Sequence, residues 1–263
     1  MYDSHIHTDF SADSKAPFLE VIRTAIYKNL KIITITDHID YKHSRDILFE
    51  FDPQEYDEAI KSVQKTYSGQ IEVLKGLELG LKPSVVKMCE GLMEAESFDF
   101  VIASMHSCLG EDFYFGNFFD DKTPEEAMKI YLDEMYQLIC AFSDFDVLGH
   151  IDLPKRYNEA VNKVDLEDLK PQYEKIFRWL VAHNKGIEVN TSGLRQEVGI
   201  QFPDESILRL YFDCGGRIIT VGSDAHKASD LGKDFNHVFQ VLKSIGFEHI
   251  CTFKGRQARY HSI

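Results

Sequence analysis

Lys31-Ile32-Ile33-Thr34-Ile35-Thr36-Asp37-His38 is a short apolar run that stops at a carboxylate and an imidazole. A run this short and this continuously apolar fits a strand buried on both faces, as in a parallel sheet, and the Asp at its end favours strand over helix. Six further runs of the same kind lie at Tyr2–His7, Glu72–Leu79, Phe100–His106, Asp146–Ile151, Gly186–Thr191 and Arg217–Gly222. Helical patterns separate most of them. Pro17–Leu30 opens with a proline suited to a first turn, Pro53–Tyr67 follows Asp52 as N-cap, and Thr123-Pro124-Glu125-Glu126 begins another helix. Asp165–Asn184, Asp204–Cys214 and Leu231–Ile245 complete the series. Such β–α alternation implies parallel strands joined by right-handed crossovers. The fold class is α/β, either a seven-stranded (β/α) barrel or an open doubly wound sheet. No composition break divides residues 1–263, so one domain is expected.

The bulk numbers narrow the function. The 263 residues carry 29 Lys plus Arg against 43 Asp plus Glu, a net charge of −14 that disfavours nucleic acid as a partner. No apolar stretch reaches membrane-spanning length, and Met1-Tyr2-Asp3-Ser4-His5-Ile6-His7 does not open as a signal peptide. The five cysteines include no CxxC pair and read as reduced thiols, so a cytoplasmic protein is expected. No GxSxG elbow, GxGxxG loop or Walker-type loop is present.

All seven runs end in polar groups. The first ends in His5 and His7 with Asp9 and Asp13 beyond; the second ends in Asp37 and His38. The third carries Glu78, the fourth His106, and the fifth His150 with Asp152. The sixth ends in Asn190-Thr191-Ser192 with Arg195 beyond, and the seventh in Asp224 and His226. In a parallel barrel the strand C-termini share one face, where active sites are built. A lone strand-end histidine is ordinarily a hydrogen-bonded or surface residue. Here six of the 11 histidines (5, 7, 38, 106, 150 and 226) fall at expected strand ends, which points to a metal site. Imidazole mixed with carboxylate suits Zn, Mn or Fe rather than Ca or Mg. His183, His237, His249 and His261 have no such company and read as structural. His43 either approaches a substrate or is solvated. The aromatic stretch Phe113–Phe119 reads as a loop packed on the barrel.

His5-Ile6-His7, Thr36-Asp37-His38, Gly76-Leu77-Glu78, Ser104-Met105-His106, Gly149-His150-Ile151-Asp152 and Ser223-Asp224-Ala225-His226 together resemble the PHP family, named for polymerase and histidinol phosphatase. The resemblance spans essentially the whole chain and implies a distorted (β/α)7 barrel with its active site at the strand C-termini. Glu188–Arg195, Phe98–His106 and Gly149–Tyr157 are similar to the stand-alone histidinol-phosphatase branch, as is Asp13, where other branches carry histidine.

The resemblance implies three divalent metals: one on His5, His7, Glu78 and Asp224, a second on Glu78, His106 and His150, a third on Asp13, His38 and His226. It also implies hydrolysis of L-histidinol phosphate to L-histidinol and phosphate in histidine biosynthesis, with a hydroxide held by the metals as nucleophile. Glu78, Asp224 and His226 would take part in catalysis. Arg156 and Arg195 are the candidates for gripping phosphate, because guanidinium matches phosphate oxygens bidentately. Asp152 and His43 are candidates for protonating the leaving group, and the residues do not choose between them. Three rival readings stand beside this one: a PHP phosphoesterase for a nucleotide or sugar phosphate, a proofreading-type exonuclease, and a non-catalytic metal-binding barrel. Oligomeric state is not legible.

Overall fold

The computed structural model describes residues 1–43 and 48–263. Seven parallel strands run in the order of the chain: β1 (Tyr2–Asp3), β2 (Ile32–Ile35), β3 (Glu72–Gly80), β4 (Phe100–Ser104), β5 (Val147–Leu148), β6 (Gly186–Asn190) and β7 (Ile219–Gly222). A short segment, His38–Ile39, adds to β3 in register with Glu78 and Leu79. The ring closes between its ends. Ser4 N donates to Val221 O at 3.0 Å, Asp224 N to His5 O at 2.8 Å and His7 N to Ala225 O at 3.0 Å, with Ile6 bridging Ala225. The first strand is shorter than the expected Tyr2–His7, because beyond Asp3 its backbone bonds leave the regular ladder with β2: Ser4, His5 and His7 bond to Val221, Asp224 and Ala225, while Ile6 O still accepts from Thr36 N. The result is the distorted (β/α)7 barrel that the sequence resemblance implies.

The helices are α1 (Phe18–Tyr27), α2 (Pro53–Thr66), α3 (Val86–Ala95), α4 (Pro124–Ala141), α5 (Pro154–Tyr157), α6 (Leu166–Ala182), α7 (Glu205–Asp213) and α8 (Phe235–Ile245). Asp52 caps α2 by accepting from Gln54 N and Glu55 N, and Thr123 with Glu126 forms a capping box on α4. Helix α3 completes the β–α alternation at the one crossover where no helix is expected from the sequence.

Alternation along β4 shows how the strands divide their faces. Val101 and Ala103 join the large core under the helices, while Phe100 and Ile102 belong to a second, interior cluster with Val147, Cys251 and Phe253. Cys251 and Phe253 come from a C-terminal hairpin absent from the sequence reading, β8 (His249–Lys254) paired antiparallel with β9 (Gln257–Ser262). Phe253 stacks on Phe100 at 5.1 Å, Lys254 and Arg259 pair with Glu72, and Arg256 pairs with Asp146. Phe100 and Glu72 are the first residues of their strands, and Asp146 lies just before β5. The hairpin thus covers the N-terminal mouth of the barrel, leaving the opposite mouth for polar side chains. Among the described residues no helix is long and apolar enough to cross a membrane.

Closure of the ring leaves no room for a side chain at Gly222, where an added Cβ would overlap the His5 side chain and the Glu188 carboxylate. At Gly91, inside α3, an added Cβ meets nothing. Gly91→Ala is expected to raise stability by about 0.5–1 kcal/mol through helix propensity. Gly222→Ala is expected to lower it, with loss of activity, as checked by thermal unfolding of both variants beside the parent protein.

Candidate metal centre

The third residue along the inner face of β4, Ser104, donates to Glu78 Oε1 at 2.6 Å, which places Glu78 above the apolar plug. Glu78 is fully buried, and five imidazoles surround it. Its Oε2 lies 3.1 Å from His5 Nε2, 3.3 Å from His7 Nε2 and 3.0 Å from His38 Nδ1. Its Oε1 lies 3.0 Å from His150 Nε2 and 3.3 Å from His106 Nε2. Asp224 Oδ1 stands 3.3 Å from His7 Nε2 and 3.5 Å from His226 Nδ1, and Asp13 Oδ2 stands 3.2 Å from His226 Nε2. All nine expected ligands meet at the C-terminal mouth. Asp224 sits at φ 52°, a left-handed conformation that Asp tolerates better than most residues.

The donor chemistry fits divalent cations. His5 Nε2 and His7 Nε2 face each other at 2.9 Å, and Glu78 Oε2 and His38 Nδ1, 3.0 Å apart, are both buried without a hydrogen-bond partner. Buried lone pairs converging this closely are costly unless a cation lies among them. Burial opposes ionisation of Glu78 and Asp224, yet the neighbouring imidazoles hold both carboxyls well below the usual carboxylate range. Among the described residues three compact donor groups emerge: His5, His7 and Asp224; His38, Glu78 and His106; and His7, His38 and His226. The first agrees with the grouping implied by resemblance. The other two share His38 and His7 between neighbouring positions, so the donors form one continuous cluster rather than three separate sets.

A second layer of acids orients these rings, and sequence reasoning missed it. Glu188 Oε1 accepts from His5 Nδ1 at 2.5 Å, while its Oε2 accepts from His150 N at 3.1 Å and Asn190 Nδ2 at 3.2 Å. Asp40 lies 2.9 Å from His106 Nδ1. Asp37 accepts from Thr8 N and from the hydroxyls of Thr8 and Ser11, and Ser11 stands 3.1 Å from His7 Nδ1. A carboxylate on the far ring nitrogen fixes the tautomer and makes the near nitrogen a better ligand. The available signal for Glu188 was a charged residue inside the apolar run Gly186–Thr191.

The cluster opens into a cavity of about 420 Å³, lined also by His43, Phe49, Asp112, Tyr114, Phe115, Arg156 and Tyr157. Arg156 Nη2 donates to Ser192 Oγ at 2.5 Å and lies 3.3 Å from Asp224 Oδ2, with the guanidinium 5.3 Å from the Phe202 ring centre. Arg195 does not line this cavity. Its Nη2 donates to Ser223 O at 2.6 Å and its Nη1 to Thr191 Oγ1 at 3.1 Å, which ties it to the turn before Asp224.

Asp152 is also elsewhere. It is fully buried against Lys155, at 3.2 Å, and accepts from Asp204 N. Burial pushes its carboxyl up to about 6 against the pull of the Lys155 ammonium. Of the two candidates for leaving-group acid, His43 is the one facing the cavity, its Nε2 3.0 Å from Asp112 and its Nδ1 3.1 Å from Asp40. Burial acts to lower the His43 pKa, but these two acids outweigh it and bring it to about 9. The aromatic loop behaves in two ways. Phe113 and Phe118 are buried as a packed loop requires, whereas Tyr114 and Phe115 project into the cavity mouth. Among the histidines read as structural, His183 bonds Trp179 O and His261 bonds Thr252 Oγ1.

Known proteins share this architecture over the full chain. The probable histidinol-phosphatase of Thermotoga maritima is 29% identical over 96% of this chain and 95% of its own length. The histidinol phosphate phosphatase of Lactococcus lactis, solved with zinc, L-histidinol and phosphate, superposes with a TM-score of 0.90 at 28% identity, covering 98% of each chain. The histidinol phosphatase assigned in Listeria monocytogenes superposes at 0.80 with 18% identity, a likeness of fold. The PHP domain matches residues 3–192, a span that holds seven of the nine clustered donor residues and stops short of Asp224 and His226. With those two carried back to the cluster by ring closure, the chain belongs to the PHP domain family.

Proposed function

We propose that this protein is a metal-dependent phosphoric monoester hydrolase that converts L-histidinol phosphate to L-histidinol and inorganic phosphate, as one domain spanning residues 1–263. The observation that carries the reading is the convergence of nine ligand-type side chains on the buried Glu78 carboxylate, beside a cavity containing a partly exposed guanidinium. The full-length likeness to histidinol-phosphatases supports the substrate, and the biosynthetic setting of those relatives supports a cytoplasmic location.

His5, His7, Asp13, His38, Glu78, His106, His150, Asp224 and His226 would hold three divalent ions, with Glu78 shared between positions; zinc, manganese and iron all suit the donors. Such ions supply Lewis acidity and lower the pKa of water towards about 7. Arg156 binds and orients the phosphate from the cavity wall, its own direction set by Ser192, Asp224 and the Phe202 ring. Arg195 acts one step back, holding the Ser223 carbonyl and so the strained turn that presents Asp224. Glu188 keeps the His5 Nδ1 proton in place and leaves Nε2 free to ligate. An acidic chain can accept an anion here because local cationic charge outweighs the net field.

Phosphate release from L-histidinol phosphate, measured beside nucleotide and sugar phosphates, is expected to show strong preference for the former. Activity should vanish on chelation and return with Zn, Mn or Fe. Glu78→Ala should abolish it, and near-parental kcat in that variant would contradict the scheme. Glu188→Gln has a different signature. It should lower metal affinity about 10–100-fold, seen as faster metal loss to a chelator, with activity recovered at high metal concentration.

A further inference from the structure

The cavity is chemically two-sided. Among the described residues that line it, Arg156 is the one Lys or Arg side chain, and it stands beside Asp224. Five carboxylates of the described residues line the same space. Asp13, Glu78 and Asp224 belong to the imidazole cluster, and Asp40 backs His106 and His43. Asp112 is left over. Its Oδ1 accepts from Tyr114 N at 2.7 Å and its Oδ2 lies 3.0 Å from His43 Nε2, with the side chain 16% exposed to the cavity mouth. An ionised carboxylate offers about four lone-pair sites, so two bonds leave room for another donor.

Next to Asp112, Tyr114 and Phe115 are 76% and 70% exposed, although both sit on a turn anchored by buried Phe113 and Phe118. Phe49 lines the same cavity and faces His43 edge-on at 4.5 Å. Adjacent large aromatics held out into a cavity mouth on a fixed turn are a surface suited to a flat organic group.

We propose that this outer half of the cavity binds the organic portion of the substrate: Asp112 accepts the primary ammonium, and Tyr114, Phe115 and Phe49 pack around the imidazole. The inference rests on the histidinol phosphate reading above and adds the residues that discriminate this ester from others. A substrate that carries a phosphate, an ammonium and a planar ring finds a partner for each in Arg156, Asp112 and the aromatic rim of one cavity. Nucleotide and sugar phosphates lack the ammonium, and a neutral aryl phosphate gains only ring contact.

The test uses product inhibition, which separates the two halves of the cavity. Hydrolysis of p-nitrophenyl phosphate by the metal-loaded protein is inhibited with L-histidinol or with inorganic phosphate. Asp112→Asn keeps an N-cap acceptor for the turn. It is expected to raise the inhibition constant of L-histidinol about 10–100-fold, as loss of a charge-assisted hydrogen bond does, and that of phosphate less than about threefold. The ratio of kcat/KM for histidinol phosphate over p-nitrophenyl phosphate should fall by a similar factor. The double variant Tyr114→Ala, Phe115→Ala removes exposed side chains and should also weaken L-histidinol selectively; it decides the matter if Asp112→Asn does not fold. Parental L-histidinol inhibition in both variants, in a protein that does prefer histidinol phosphate, overturns the subsite alone. A parental protein that neither prefers histidinol phosphate nor is inhibited by L-histidinol overturns the substrate reading, and the subsite with it.

Discussion

The structure depends on a single buried carboxylate. Glu78 is removed from water, and both its oxygens are packed against imidazoles. An ionised carboxylate in such a place is strongly unfavourable unless positive charge surrounds it. The five imidazoles cannot all donate to it, because several have their lone pairs turned inward and their N–H groups turned out towards Glu188, Asp40 or Ser11. Divalent cations resolve both demands: they neutralise the carboxylates and satisfy the inward lone pairs. Cation binding and folding of this mouth of the barrel are then linked, since the assembled site exists only in the native chain.

The rest of the barrel serves this arrangement. Interior residues change character along the axis, from the stacked Phe253 and Phe100 at the bottom, through Ile102, to Ser104 and Glu78 at the top. The hairpin seals the lower mouth with apolar side chains, so the polar cluster has a dry floor in which its electrostatics are strong. Ring closure brings Asp224 and His226, from the far end of the chain, beside His5 and His7. A side chain at Gly222 would hold those strands apart.

Much of this was legible before any coordinates. The seven apolar runs are readable because strands buried on both faces need little alternation, and the ligands because each run ends in a polar residue that solubility does not explain. The missed parts have physical reasons. Helix α3 buries few side chains, chiefly Cys89 and Leu92, so its apolar stripe is faint. Strand β9 carries Gln257, Arg259 and His261 and looks polar until its pairing with β8 is known. Glu188 hid inside an apolar run, where it reads as a flaw rather than a partner for His5. Asp152 and Arg195 stand at the right strand ends but turn towards Lys155 and Ser223, and sequence position does not carry side-chain direction. The sharing of His7 and His38 between donor groups depends on distances of a few ångströms, which no spacing along the chain encodes.

The central claim is that the Glu78 cluster binds several divalent ions and that hydrolysis requires them. The most direct measurement is elemental analysis of metal per chain during stepwise reloading of chelated protein, with phosphate release from L-histidinol phosphate followed in the same samples. The account expects activity to rise with metal content up to about three ions per chain, more than any single donor group could hold. Full activity in metal-free protein, or saturation of binding and activity at one ion, would contradict it.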